Sequence, residues 1–135
     1  MRKGIDVLGN EFEVNCMGCD VANHKLIPPG GYIYDDGFIT VAADPEIPII
    51  GFIVLGISKH IRSMNELSKE ERTNVTEVLN RSIAVLKELN LANEVYLIQE
   101  ETASHFHIWI VPVHDWMKGI GKGIIHMSKY IDYAN

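Results

Sequence analysis

The chain has 135 residues, 47% hydrophobic and 22% charged, which suits one soluble domain (residues 1–135) with a single core. A net charge of −6, with Arg2–Lys3 as the only basic doublet, excludes the broad basic footprint of a nucleic-acid binder. The longest apolar candidate, Ile47 to Ile57, is broken by Pro48, Gly51 and Gly56, so no segment is predicted to span a membrane. The N-terminal Met1-Arg2-Lys3-Gly4-Ile5-Asp6 has no long apolar stretch, so no signal peptide is expected and the predicted location is cytoplasmic.

In chain order, residues 1–20 read as irregular up to Cys16-Met17-Gly18-Cys19, where Gly18 is expected to permit a tight turn. Pro28-Pro29-Gly30-Gly31 is a turn. Tyr32–Tyr34 is predicted as a strand, Asp35-Asp36-Gly37 as a hairpin turn, and Phe38–Ala43 as the returning strand. Gly51–Ile57 is apolar enough for a central third strand. Ser68-Lys69-Glu70-Glu71 is a capping box, and Val75, Val78, Leu79, Ser82, Leu86 and Leu89 define one face of a helix running to about Asn90. Glu94–Gln99 and Phe106–Val111 are the fourth and fifth strands. Ile120, Ile124, Ile125, Met127 and Ile131 form a C-terminal helix, weakened at its start by Gly119, Gly121 and Gly123. The expected fold class is α+β: an antiparallel sheet of about five strands with one long helix and a C-terminal helix.

The chemistry gathers in a few places. Residues i, i+2 and i+4 of a strand share a face. His105, His107 and Trp109 therefore point one way and Phe106, Ile108 and Ile110 the other. The second set makes a core face; two imidazoles and an indole side by side serve no core. Cys16 and Cys19, in C-x2-C spacing in a chain expected to be cytoplasmic, favour metal binding over a disulfide. Zinc takes four thiolate or imidazole ligands, and His60 and His105, at or near strand ends, are the candidates for the other two. No helix is predicted to begin at Cys16, so the pKa-lowering helix end of a thiol redox pair is not expected. Neutral imidazole is a good nucleophile near pH 7, and His107 is placed for that role.

From Cys16 to Pro112 the order of these features resembles the histidine triad (HIT) family of nucleotide hydrolases and transferases, in its zinc-containing branch. The resemblance rests on the C-x2-C pair, on Tyr34-Asp35-Asp36-Gly37-Phe38-Ile39-Thr40-Val41, and on Asp44-Pro45 with Pro48 and Gly51. It continues through Gly51–His60 and ends in His105-Phe106-His107-Ile108-Trp109-Ile110-Val111-Pro112, similar to the family's His-φ-His-φ-His-φ-φ strand followed by proline.

The resemblance implies a structural Zn²⁺ on Cys16, Cys19, His60 and His105, with His107 as nucleophile. It implies Asp44 as the acid that holds the ribose hydroxyls, and Thr102 or Ser104 as the phosphate-touching hydroxyl. The implied substrate is a purine nucleotide: a dinucleoside polyphosphate, similar to diadenosine tetraphosphate, or a nucleoside phosphoramidate. The implied path runs through a nucleotidyl-histidine, and the implied assembly is a homodimer. Trp109 stands where the family has its third histidine and is assigned to substrate binding; its N–H donates but cannot act as a general acid at neutral pH. His114 is considered as a substitute. Phe52 and Val113 replace a histidine and an arginine common in the family. Glu100 and Glu101, beside Gln99, are expected to turn away from a phosphate or to bind a cation. Three other readings stay open: a nucleotidyltransferase, a nucleotide-binding module without turnover, and a zinc-stabilised interaction domain.

Overall fold

A computed structural model describes the whole chain, Met1–Asn135. Five strands, β3 (Tyr32–Asp35), β4 (Ile39–Ala43), β5 (Ile53–Ile57), β6 (Val95–Ile98) and β7 (His107–Pro112), form one antiparallel sheet in the order β3-β4-β5-β7-β6. The expected α+β architecture is therefore present, with β5 in the centre. The β3–β4 turn closes through Asp36, whose Oδ1 accepts from the amides of Phe38 and Ile39, while Gly37 takes a φ of 90°.

The long helix α2 (Lys69–Glu88) begins at the predicted capping box: Ser68 Oγ accepts from the Glu71 amide and Glu71 Oε1 from the Ser68 amide. Its apolar face lies on one side of the sheet. Val75, Val78 and Leu86 meet Ile39, Leu55 and Ile110 in a closed core. Burying each such side chain stabilises the fold by about 1.5–3 kcal/mol. Leu89 does not join them; it is 63% exposed beyond the helix end, and Ile83 and Leu91 pack there instead. Asn90, at φ 57°, turns the chain so that Leu91 rather than Leu89 faces inward.

Two further expectations are corrected. Residues 1–20 are not irregular: β1 (Arg2–Ile5) and β2 (Glu11–Val14) form a separate antiparallel hairpin. β1 carries no apolar alternation, and β2 alternates Glu11-Phe12-Glu13-Val14 over only four residues, too short a run to stand out from a loop. It is held by the Phe12 ring across Gly4, by a Val7 amide donating to Pro45 O at 2.8 Å, and by an Arg2–Glu46 ion pair. The C-terminal helix is two helices, α3 (Asp115–Ile120) and α4 (Met127–Ala134), separated by Gly121-Lys122-Gly123 and a 3-10 turn at Ile124–His126. Tyr130 is fully buried and its hydroxyl donates to the Gly121 carbonyl, while Tyr96 accepts from the Gly123 amide. With Phe52, Val111 and Met117 these residues build a second core on the opposite side of the sheet. No helix is long and apolar enough to cross a membrane.

Candidate metal centre and reactive cavity

A short helix, α1 (Met17–Ala22), follows Cys16, which caps it; the Cys19 amide lies 3.5 Å from Cys16 Sγ. The expectation that no helix begins here is wrong, because six residues with one glycine carry too little periodic signal to be read. Gly18 also has a different role from the one expected. It is helical and has no positive φ; what it supplies is space. A Cβ at Gly18 would stand 2.4 Å from the ring of His105.

Strand β5 leads out through Ser58, whose amide donates to Phe38 O, and the loop is locked when the Phe106 amide donates to Ile61 O at 2.6 Å. That lock brings His60 against His105. Four donor atoms then converge. Cys19 Sγ lies 3.2 Å from His60 Nδ1 and 3.5 Å from His105 Nδ1. Cys16 Sγ lies 3.5 Å and 3.4 Å from the same two atoms, and the two imidazole nitrogens are 3.3 Å apart. A tetrahedral ion with bonds of about 2.3 Å to sulfur and about 2.0 Å to nitrogen needs S···N edges of about 3.5 Å and N···N edges of about 3.3 Å. The group fits such an ion.

The tautomer fits as well. His105 Nε2 is 2.7 Å from Ile57 O, and a carbonyl only accepts, so Nε2 carries the proton and Nδ1 offers its lone pair. Burial pushes the His105 imidazole below its ordinary value, keeping it neutral as a ligand must be. Burial, then the neighbouring Cys16, pushes the Cys19 thiol up to about 11. A protein without a cation here leaves that thiol protonated, the reverse of a nucleophilic redox cysteine.

On the same sheet face the pairing register places Thr40, Gly56 and His107 in one row and Ala42, Val54 and Trp109 in the next. These two rows floor a cavity of about 310 Å³, walled by Asp44, Pro45 and Ile47 on one side and by Ser104 and the α1 knuckle on the other. His107 is half-buried. Its Nδ1 is 2.8 Å from His105 O, so that nitrogen is the donor and Nε2 keeps a free lone pair. Asp44 Oδ1 accepts from the Glu46 and Ile47 amides at 2.8 and 3.1 Å. Burial raises its carboxyl above the usual value; the two amides and the nearby His107 pull the other way without cancelling that effect. Trp109 meets His107 at 6.4 Å between ring centroids and has the buried Phe52 edge-on behind it.

The cavity thus gathers Asp44, Ser104, His107 and Trp109 of the residues singled out in the sequence, and the candidate metal ligands border it through Cys16 and His105. Thr102 is exposed and does not line it. Neither does His114, whose Nε2 is 2.6 Å from Ile50 O and whose ring stacks on Trp116; it does not replace the missing histidine. Glu100 and Glu101, expected to turn away or to bind a cation, do not line this cavity. Glu101 accepts from the Ser63 hydroxyl, and the exposed Glu100, with Ile98, Ile124 and Met127, borders a second cavity of about 240 Å³ that also touches His107 and Trp109. No periodic signal links Ile98 to Ile124 and Met127, so sequence reasoning missed this second space.

No family model and no curated protein matches the sequence. Solved structures do match. A member of the HIT family from Bacillus subtilis aligns over 82% of this chain and 81% of its own, with a TM-score of 0.68 and 16% identity. A HIT family hydrolase from Clostridium thermocellum aligns over 84% and 99%, at 0.61 and 18%. A hypothetical histidine triad nucleotide-binding protein from Sulfolobus tokodaii aligns over 74% and 70%, at 0.63 and 19%. The fold is therefore the HIT-like fold.

Proposed function

We propose that this protein is a nucleotide hydrolase of the histidine triad family, in its zinc-containing branch. It would cleave a dinucleoside polyphosphate or a nucleoside phosphoramidate through a nucleotidyl intermediate on His107. One observation carries this reading. His107 turns Nδ1 to the His105 carbonyl, so in the neutral ring the Nε2 lone pair is left free in a cavity that also holds the half-buried acid Asp44. The structural neighbours from Clostridium thermocellum, a HIT family hydrolase, and Sulfolobus tokodaii, a hypothetical histidine triad nucleotide-binding protein, support it.

The chemistry follows from the side chains. Asp44 has one oxygen held by two backbone amides, which aims the other at the ribose hydroxyls of a bound nucleoside. Its elevated affinity for a proton is relieved when those hydroxyls donate to it. His107 Nε2 attacks the α-phosphorus, the bond to the leaving group breaks, and the electron pair departs with that group. Ser104 lines the cavity and Thr102 does not, so of these two Ser104 is the hydroxyl that would donate to a phosphoryl oxygen. Water then attacks the phosphorus, releasing the nucleoside monophosphate and regenerating the imidazole. Cys16, Cys19, His60 and His105 would hold zinc, which in a closed four-ligand site supplies structure. Because His105 is both ligand and acceptor of the His107 proton, the ligand set also fixes the nucleophile's orientation.

Trp109 favours a second reading, a nucleotide-binding module without turnover, because an indole cannot protonate a leaving group. The two are separated by incubating zinc-loaded wild type and His107→Ala with diadenosine tetraphosphate and with adenosine phosphoramidate, and resolving the products by chromatography. AMP from wild type alone supports the hydrolase. AMP from neither, with AMP still binding both proteins, supports the binding module.

A further inference from the structure

Only two polar side chains of the protein are buried, Thr40 and His105. His105 is accounted for: Nε2 meets Ile57 O and Nδ1 faces the candidate metal group. Thr40 is not. It is 6% exposed, it lines the larger cavity, and its hydroxyl makes no hydrogen bond within the protein. A ligand that fills the cavity expels its water. The hydroxyl is then met by a polar atom of that ligand, or it is left unpartnered at a cost. A glycine shows which way the hydroxyl points. Thr40, Gly56 and His107 share one row of the sheet. A Cβ placed on Gly56 would meet Thr40 Oγ1 at 3.5 Å and nothing else in the rest of the chain within 4 Å. Gly56 therefore leaves a slot of bare backbone, with the Thr40 hydroxyl on one side and His107 next in the row on the other.

The other polar groups of the lining have roles already. Asp44 is assigned to the ribose hydroxyls, His107 to the α-phosphorus and Ser104 to a phosphoryl oxygen, while Glu46 is paired with Arg2. That leaves Thr40 on a floor whose nearest rows otherwise present Gly56, Ala42 and Val54. A nucleotide has three ends, and the one still without a partner is the base. Its flat faces suit small apolar residues and bare backbone, and its edge carries donors and acceptors. A hydroxyl both donates and accepts, so it meets either kind of edge atom. We infer that Thr40 discriminates among nucleobases: its hydroxyl bonds one polar atom on the edge of a base whose ring lies over Gly56. The inference rests on the nucleotide-binding part of the reading above and adds to it a selectivity carried by one side chain. A base that presents no matching atom leaves the hydroxyl buried and unpartnered, and that penalty is the source of the discrimination.

The test uses the full-length, zinc-loaded protein. Wild type, Thr40→Val and Thr40→Ser are titrated calorimetrically with AMP, GMP, CMP, UMP and ribose 5-phosphate. Wild type is expected to bind its best and worst nucleotides with affinities about tenfold apart. In Thr40→Val the affinity for the best nucleotide is expected to fall about tenfold and the spread to close to about twofold, while ribose 5-phosphate changes by less than about twofold. Thr40→Ser keeps a hydroxyl and is expected to keep the ranking. Free Thr40→Val is expected to melt at or above the wild-type temperature, because the hydroxyl it loses has no partner in the free protein. A lower melting temperature with every affinity reduced alike overturns the inference, since the hydroxyl then serves the fold. An equal loss for ribose 5-phosphate also overturns it, by moving the contact to sugar or phosphate. An unchanged spread in Thr40→Val, or no spread in wild type, overturns it and leaves nucleotide binding standing. No nucleotide bound by wild type overturns both. Selective binding that depends on Thr40, without hydrolysis of any substrate, keeps this inference and removes the hydrolase.

Discussion

The two faces of the five-stranded sheet are built to different standards. Toward α2, Phe106 and, in β7, Ile108 and Ile110 are 0, 4 and 0% exposed and meet a continuous apolar surface. On the other face the alternate residues of the same strand, His107 and Trp109, are half-buried and border two cavities. One register decides both, since a shift of a single residue would exchange every side chain between the faces. The tightly packed core and the candidate site are thus separated by the thickness of one strand. The closed face fixes the backbone so that the open face can keep an imidazole, an acid and empty space in fixed relation. The metal group sits at the strand end where the two meet, through His105.

That separation can be broken most severely at the metal group. Cys16→Ser in the zinc-loaded protein is expected to lower the melting temperature by more than about 10 °C and to abolish zinc retention, as read by calorimetry and metal analysis. Gly18→Ala, which leaves every ligand in place, is expected to reduce zinc affinity about 10–100-fold because its methyl displaces the His105 ring. Retention of zinc and of the melting temperature in Cys16→Ser would mean that the four donors are not a working site.

Next in size is the closed face. Ile110→Ala is expected to destabilise by about 3 kcal/mol through the lost apolar surface and the cavity left behind, lowering the melting temperature by about 10 °C. Nucleotide affinity of the folded fraction, measured by titration well below the transition, is expected to change less than about twofold. A large loss of affinity would show that the faces are coupled rather than separate.

The smallest effect is expected at Asp44. Burial holds its folded-state carboxyl above the ordinary value of 3.8, so the folded protein binds that proton more tightly than the unfolded chain. Stability from this group is therefore full below pH about 3.8 and declines as pH rises through the folded value. Asp44→Asn keeps an oxygen for the Glu46 and Ile47 amides without the charge. At pH 7 its melting temperature is expected to equal or exceed that of wild type by about 2 °C, with the difference vanishing at low pH. AMP affinity is expected to fall about tenfold. A fall in melting temperature at pH 7 would contradict the sign.

Which parts were legible in the sequence follows the same division. The alternation from His105 to Pro112, the Ser68–Glu71 capping box and the Asp35-Asp36-Gly37 turn are local signals, and each appears in the structure where the pattern put it. The four candidate metal donors were legible through the family resemblance, and the structure brings their atoms within 4.8 Å of one another. What was missed depends on distant parts of the chain. The hairpin of β1 and β2 presents exposed Lys3, Glu11 and Glu13, β1 has no apolar face, and the Phe12 and Val14 face of β2 spans only four residues; its hold on the rest of the chain comes from the distant Pro45 and Glu46. The need for a glycine at Gly18 comes from His105, far along the chain, and no local turn rule contains it. Leu89 fits the helical period of Val75 and Leu86 but lies beyond the last full turn, where periodicity no longer dictates direction. The second cavity needs β6, β7 and the C-terminal turn at once.

The most direct test of the division between the faces follows phosphorus onto the protein. Zinc-loaded wild type and His107→Ala are mixed with an adenosine phosphoramidate and quenched within milliseconds in base, since a phosphorus–nitrogen bond to imidazole breaks in acid. Intact-mass and peptide analysis then locate any adenylyl group, and melting curves are recorded for both proteins. An adenylyl group on His107 in wild type, none in His107→Ala, and melting temperatures within about 2 °C are the expected results, because His107 lies outside the closed core. An adenylyl group on another residue, or undiminished AMP release by His107→Ala, would contradict the assignment of the chemistry to the open face of β7.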